Sequence, residues 1–301
     1  MSISIEKYKD SYFLEVLNLF NENSEFDFFT EELLENKLNG DPRWNPETTL
    51  VAIIDAKIIA FMQGVEQTIR GVNYGFIKLM IVSKELRRQH IATKMYLQLE
   101  NYFREKKTDI VRFYDTPLNY YMPGIDPKYT PAVCFVQKLG FKKFEDSFNM
   151  TVSLEQDFSV ENELKSLEKE AIEVKRAEEN EKEELLNFAK EEWELWQNEI
   201  KEAYKNEPIA VHIAKLEGKI KAFSLHSANN KGLAWFGPMG THADMRGKGI
   251  GSILLKLCLQ DLKNQGYKTA IIPWVAPTAF YSHYVGAQIT RVFWRYKKEL
   301  N

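Results

Sequence analysis

Cysteine is nearly absent: the 301 residues contain two, Cys134 and Cys258. Both sit among apolar residues, and two are too few for a disulfide framework or a zinc site, so a reducing, cytoplasmic compartment is expected. Long apolar runs are also missing. None approaches the ~18–20 residues a bilayer-spanning helix needs. The opening MSISIEKYKD carries acids and no apolar core, so a signal peptide is not expected. Histidine occurs five times with no pair at helix or finger ligand spacing, and no metal is expected. Excess charge of one sign is lacking as well. The net charge of −3 makes no whole-chain case for nucleic acid or membrane partners.

What is present is a soluble globular composition, 44% hydrophobic and 28% charged. The length suits two cores of about 150 residues each. Charge is distributed unevenly along the chain. Residues 155–207 hold 18 acids and 8 bases, whereas 208–301 hold 4 acids and 13 bases. The acidic stretch reads either as a solvated helix pair or as the neighbourhood of a cationic substrate, with the basic segment facing a polyanion.

The two halves repeat one plan. LVAIIDAKIIAFMQGV (50–65) is similar to IAVHIAKLEGKIKAFSLHSA (209–228), each a strand, a tight turn and a strand. The turns are Asp55-Ala56 and Glu217-Gly218, and Lys57 aligns with Lys219. The segments 3–20 and 172–189 both read as a short strand followed by an amphipathic helix. Each half continues with a strand, a basic turn, a helix, another strand, a helix-like stretch and an aromatic-rich closing strand. Domains are therefore expected at 1–152 and 171–301, with 153–170 as a polar linker. The first half alone carries the insert TPLNYYMPGIDPKYTP (116–131), whose prolines and tyrosines suggest an ordered loop reaching into a site.

The most informative residues are Arg246, Gly247, Lys248, Gly249, Ile250, Gly251 and Ser252. They follow an apolar strand and open an amphipathic helix that stops near Gly266. Glycines there permit a tight turn and close approach of a ligand to the backbone. The exposed N–H groups of the first helical turn then face an anion. This turn resembles the Arg/Gln-x-x-Gly-x-Gly/Ala signature of GNAT acetyltransferases, and the resemblance covers nearly the whole chain as two tandem copies.

The resemblance implies an α/β (α+β) fold. Each domain would be a mixed, largely antiparallel twisted sheet flanked by helices, with a splayed strand pair that binds CoA. It implies an acetyl-CoA-dependent N-acetyltransferase acting on an amine of a small molecule or peptide, by direct attack in a ternary complex. Arg246–Ser252 would cradle the pyrophosphate. Met239 and Thr241, on a strand disrupted at Pro238, would meet the thioester and the pantetheine arm. Tyr281 is the general-acid candidate and Tyr284 the alternative. Tyr281 lies five residues before Gly286, and Ser282 occupies the family's usual position. In the first copy the aligned turn is Arg87-Arg88-Gln89-His90-Ile91-Ala92, with His90 in place of a glycine. A positive φ there is costly, so the first CoA site is expected to be degenerate. His242 is expected at the surface or as a cap, His212 and His226 as satisfied sheet residues or a proton relay, and His283 in solvent or at the cleft. Trp193 and Trp196 are expected in the core. A monomer or homodimer is expected.

Two other readings remain open at this level. One is a CoA-binding regulatory pseudoenzyme. The other is an aminoacyl-tRNA-dependent ligase, which the intact turn and the lack of a helical-hairpin arm disfavour.

Overall fold

The computed structural model describes residues 3–300. In chain order the elements are β1 (Ser4–Lys7), α1 (Phe13–Asn23), α2 (Glu31–Leu38), β2 (Thr49–Ile54), β3 (Lys57–Ile69), β4 (Val72–Val82), α3 (Ile91–Glu105), β5 (Ile110–Phe113), α4 (Thr130–Lys138) and β6 (Lys142–Ser153). Then follow α5 (Glu161–Glu168), β7 (Ile172–Arg176), α6 (Lys182–Glu192), α7 (Gln197–Ala203), β8 (Val211–Leu216), β9 (Lys219–His226) and β10 (Phe236–Thr241). The chain closes with α8 (Ile250–Asn264), β11 (Thr269–Ile272), α9 (Thr278–Val285) and β12 (Gln288–Glu299). No helix among the described residues is long and apolar enough to cross a membrane.

The chain divides into two compact units. Unit 1 runs to Ser147 and takes up the chain again at Phe293; unit 2 is Phe148–Val292. In unit 1 the strands run β1-β2-β3-β4-β5, all antiparallel except the parallel β4–β5 pair. The end of β12 then adds to β5, with Lys297 opposite Arg112 and Glu299 opposite Ile110. In unit 2, β7-β8-β9-β10 form an antiparallel sheet, and β11 pairs with residues 150–153 of β6.

The repeated plan is visible in detail. Both expected hairpins form on two residues with positive φ, Asp55-Ala56 (48° and 62°) and Glu217-Gly218 (52° and 77°). This is the backbone twist a two-residue hairpin loop requires. Each hairpin is also bulged at the same place, between Ala52 and Ile53 and between Ala214 and Lys215.

The units are not cut where the domain pattern suggested. β6 passes into unit 2 after Ser147, and β12 passes into unit 1 after Val292. The end of β12 is held by side chains of unit 1. Phe293 and Tyr296 are fully buried, Arg295 Nε bonds Asp115 Oδ2 at 3.0 Å, and Lys298 Nζ bonds Glu100 Oε2 at 2.7 Å. Residues 153–170 also differ from a free polar linker. Leu154 and Phe158 join one buried cluster of unit 2, and Val160 and Leu167 another, so the segment is strapped onto that unit. Lys248–Glu170 and Lys256–Glu163 ion pairs fix its outer face.

The insert is anchored within unit 1 by a buried polar network. Lys78 on β4 is fully enclosed and bonds Asp41 Oδ2 and the Lys37 carbonyl, each at 2.5 Å. Arg43 donates to both carboxylate oxygens of Asp41, to Thr116 Oγ1 at 2.6 Å and to the Leu118 carbonyl. Burial pushes the Asp41 carboxyl up, but hydrogen bonding from Arg43 and the charge of Lys78 outweigh it and hold it at about 2. Burial brings the Lys78 ammonium down to about 8 against the pull of Asp41.

Removing one partner of such a pair strands a buried charge and costs about 3–5 kcal/mol. Asp41→Asn is therefore expected to lower unfolding stability by about that amount in urea titrations at pH 7. Asp41 has a depressed folded pKa, so its contribution to wild-type stability is present above the ordinary carboxyl range and lost as pH falls through about 2. Unchanged stability of the variant at pH 7 would contradict the network's role.

Candidate functional site

The candidate site in unit 2 begins where β10 leaves its neighbour. β10 and β11 meet at one parallel bridge, Trp235–Ile271, with the Ile271 N–H donating to the Ala234 carbonyl at 2.9 Å. Beyond it no residue of β10 pairs with β11 among the described residues. The strand is bulged against β9 between Phe236 and Met239, and Pro238, with no N–H to donate, lies in that bulge. This is the disrupted edge that Pro238 led us to expect. Past the bulge β10 pairs regularly with β9, Thr241 with Ala222 and Gly240 with Phe223.

The turn follows directly. Arg246 Nε reaches back to the Thr241 carbonyl at 3.3 Å and ties the turn to the strand. Gly247 and Gly249 take φ of 82° and 77°, and Gly249 is the N-cap of α8. A Cβ at either would meet no neighbour, so glycine serves here by its conformation and not by its size. Ile250 is buried and seats the helix. Ser252 Oγ donates to the Gly249 carbonyl at 2.7 Å. The N–H groups of Ile250, Gly251 and Ser252 belong to the first helical turn, which an α-helix leaves without internal partners. Lys248 is paired to Glu170 at 2.6 Å.

Three elements converge at Gly251. A Cβ there would lie 3.2 Å from Met239 Cε of β10 and 3.5 Å from the Phe280 ring of α9. Tyr281, the next residue, is 8% exposed, with its ring edge-on to Phe236 at 6.1 Å and to Phe280 at 5.1 Å. Its hydroxyl has no hydrogen-bond partner among the described residues, and burial pushes the phenol above its ordinary pKa. Ser282, His283 and Tyr284 face outward. The sequence candidates Met239, Gly251 and Tyr281 thus belong to one neighbourhood, and Tyr284 lies on the exposed side of α9.

Other sequence candidates fall elsewhere. His242 caps a short turn, its Nδ1 accepting from the Asp244 N–H at 3.3 Å. Trp193 and Trp196 stack at 5.4 Å and join the cluster beneath α6 and α7. The Trp193 ring also covers Gly240, where a Cβ would approach within 2.7 Å. Part of the acidic stretch is paired: Lys175 bonds Glu178 and Glu181, and Lys215 of the following segment bonds Glu181 and Glu184.

His212 and His226 both bond Asp261 Oδ2, at 2.7 and 3.2 Å, and Arg176 bonds Asp261 Oδ1 at 2.7 Å. Asp261 sits on α8, so this cluster ties the helix to β7, β8 and β9. Nothing in the spacing of these four residues announced it. Burial raises the Asp261 carboxyl, but the bonds from His212, His226 and Arg176 overcome this and hold it far below the ordinary range. Burial lowers the His212 imidazole below its usual value, and its Nδ1 is buried without a partner.

The first-copy turn is built in the same way. Arg88 and His90 take φ of 63° and 60°, and His90 is the N-cap of α3. Arg87 Nε reaches back to the Val82 carbonyl at 3.2 Å, as Arg246 does in unit 2. β4 pairs with β5 only as far as Ile77 and Phe113, and the Tyr114 hydroxyl then donates to the Met80 carbonyl at 3.0 Å. A cavity of about 820 Å³ opens at this separation. Sequence reasoning missed it; the tyrosines of the insert were the signal.

A protein-family model described as the acetyltransferase (GNAT) family matches residues 13–121 and again 168–284. No curated protein sequence matches the chain. Among solved structures, the glucosamine N-acetyltransferase region of a fungal multi-domain β-N-acetylglucosaminidase superposes with a TM-score of 0.83 at 18% identity. That match covers 99% of this chain and 38% of the fungal one. An N-acetyltransferase from Sphaerobacter thermophilus gives 0.73 at 15% identity, over 99% and 95% of the two chains. A tandem GNAT protein of clavulanic acid biosynthesis gives 0.72 at 12% identity, over 100% and 99%. At these identities the likeness is one of fold.

His212 is held neutral in the folded protein and titrates near 6.5 when unfolded, so the unfolded chain takes up a proton first as pH falls. Its contribution is complete above about pH 6.5 and declines below it. Melting temperature is expected to fall more steeply between pH 7 and 5 in the wild type than in His212→Gln. Parallel pH profiles would rule out this role.

Proposed function

The chain belongs to the acetyltransferase (GNAT) family, and on that premise we propose that it transfers an acetyl group from acetyl-CoA to an amine, with the thioester bound in unit 2. The observation that carries this reading is the meeting of β10, the N-terminus of α8 and α9 at Met239, Gly251 and Phe280. It joins an anion-binding turn, an unpaired strand edge and a buried phenol.

The residues fit such a co-substrate. The backbone of Gly247–Ser252 offers N–H groups and the positive end of a 15-residue helix to a pyrophosphate. Arg246 holds the turn to its strand, and Lys248 lies beside it, paired to Glu170. The open edge around Met239 and Thr241 offers backbone partners to the amides of a pantetheine arm. N–H donors on that edge suit the oxyanion that forms when a neutral amine attacks the thioester carbonyl. The C–N bond then forms, the nitrogen releases a proton to water, the C–S bond breaks, and the departing sulfur needs a proton. Tyr281 is suited to supply it, because burial keeps its phenol protonated throughout the neutral range. The acceptor is an amine of a small molecule or peptide, and the transfer is direct, without an acyl-enzyme.

Gly249→Val puts a β-branched residue at φ 77°. It is expected to weaken acetyl-CoA binding at least about tenfold by calorimetry while circular dichroism stays native. Undiminished affinity would overturn the assignment. Loss of a general acid lowers the rate by about 10²–10⁴. Tyr281→Phe is accordingly expected to lower kcat at least about tenfold with acetyl-CoA affinity nearly unchanged, and Tyr284→Phe to have little effect. A wild-type kcat for Tyr281→Phe would remove Tyr281 from the mechanism.

A further inference from the structure

We propose that unit 2 carries a second reactive centre, in which Ser227, backed by His226 and Asp261, is the nucleophile for hydrolysis of short-chain carboxylic esters. The centre shares no residue with the Arg246–Ser252 turn, with Met239 or with Tyr281, and it stands whether or not unit 2 binds acetyl-CoA.

A chain of hydrogen bonds carries the assignment. Ser227 Oγ lies 3.0 Å from His226 Nδ1, and His226 Nε2 lies 3.2 Å from Asp261 Oδ2. An ionised carboxylate accepts hydrogen bonds and donates none. The groups around Asp261 keep it ionised, so His226 must present Nε2–H to it. Its Nδ1 then holds a bare lone pair, and the Ser227 hydroxyl is the donor on that side. Arg176 holds Asp261 Oδ1 at 2.7 Å and His212 shares Oδ2 at 2.7 Å, which fixes the carboxylate against rotation. A hydroxyl, a base and an orienting carboxylate, in that order, form the arrangement that activates a serine.

Burial divides the chain as such a centre needs. His226 is 1% exposed, so water does not compete for its nitrogens, whereas Ser227 is half-buried and can be reached. Its neighbours His226 and Ala228 are both buried, so a substrate approaches from one side, which suits a short acyl group. The one charged residue of the loop 227–235 is Lys231, which leaves a neutral ester as the class.

The backbone is set for the same task. Ser227 follows β9 with φ 53°, a left-handed conformation that serine seldom adopts. Its N–H donates to the Trp235 carbonyl at 2.8 Å and closes the loop. Strained turns of this kind hold nucleophiles clear of their strands. The next N–H, that of Ala228, has no hydrogen-bond partner among the described residues and is a free donor for the oxyanion of an attacked carbonyl.

In the reaction, Ser227 Oγ bonds the ester carbonyl carbon and its proton passes to His226 Nδ1. The bond from that carbon to the alcohol oxygen breaks, and the alcohol leaves with the proton. Water then attacks the acyl-serine and gives a proton to the same nitrogen, which returns it to Ser227 Oγ as the carboxylic acid departs. Asp261 is a positioning residue throughout.

The test uses the full chain carrying Cys134→Ser, because the exposed Cys134 thiol also reacts with activated esters. A fluorophosphonate probe is added, and the adduct is located by peptide mass spectrometry. A single adduct on Ser227, formed with loss of fluoride, is expected. His226→Gln should slow its formation at least about hundredfold with circular dichroism native. Hydrolysis of p-nitrophenyl acetate above the buffer rate is expected, and Ser227→Ala should remove it. An unlabelled Ser227, labelling spread over other hydroxyls, undiminished labelling in a folded His226→Gln chain or undiminished hydrolysis in Ser227→Ala would each overturn the proposal. Should His226→Gln not fold, the site of labelling and the Ser227→Ala hydrolysis decide the matter by themselves. Neither readout involves acetyl-CoA, so failure here leaves the thioester assignment standing, and the reverse.

Discussion

Both units depend on a strand pair that meets at one end and separates at the other. Pairing is the cheapest way to satisfy backbone N–H and C=O groups, and a strand edge left open carries groups that must find other partners. The chain meets that demand differently in its two copies. In unit 2, Pro238 removes one donor from the open strand, and the Trp193 ring covers the glycine that follows it. In unit 1, the Tyr114 hydroxyl takes the Met80 carbonyl. What remains unpaired lies beside the N-terminus of a 15-residue helix, itself a row of unpartnered donors. An extended ligand with amides along its length and phosphates at one end matches both sets of groups.

Such an edge is useful only if the helix beside it stays in place. In unit 2, α8 packs its apolar side chains on two clusters and is pinned near its far end by Asp261, which gathers Arg176, His212 and His226. One carboxylate thereby holds three strands to one helix. Unit 1 places its buried charge on the sheet instead, where Lys78, Asp41 and Arg43 clamp the insert and the segment after α2. The duplicated backbone plan has been kept, while the polar residues that stiffen it have been chosen independently in each copy.

The site was unevenly legible in the sequence, for identifiable reasons. The Arg246–Ser252 turn stood out because glycines spaced just ahead of an amphipathic helix bend the backbone and bare its N–H groups, and little else calls for them there. His90 takes the positive φ that the sequence reading counted as costly. The seat of α3 against the sheet, through residues such as Leu99 and Phe103, outweighs it. The inward aim of Tyr281 depended on the helical phase set by Val285 and Gly286, which spacing to a glycine alone leaves open. The four-residue cluster at Asp261 was invisible, because its members lie up to 85 positions apart and share no pattern.

By itself the sequence determined the local features. The two hairpin turns, both helix-opening turns, the amphipathic helices, the tandem plan and the membership of the family follow from the order of residue types over short windows. Only the tertiary structure decided which half of β6 and β12 belongs to which unit, and that residues 153–170 lie packed on unit 2. The physical reason is that a strand's alternation reports which of its faces is buried and is silent about the sheet that buries it. Phe293 and Tyr296 would read the same against either sheet. What selects unit 1 is the set of charges waiting there, Asp115 for Arg295 and Glu100 for Lys298, and those partners come together only when the chain has folded.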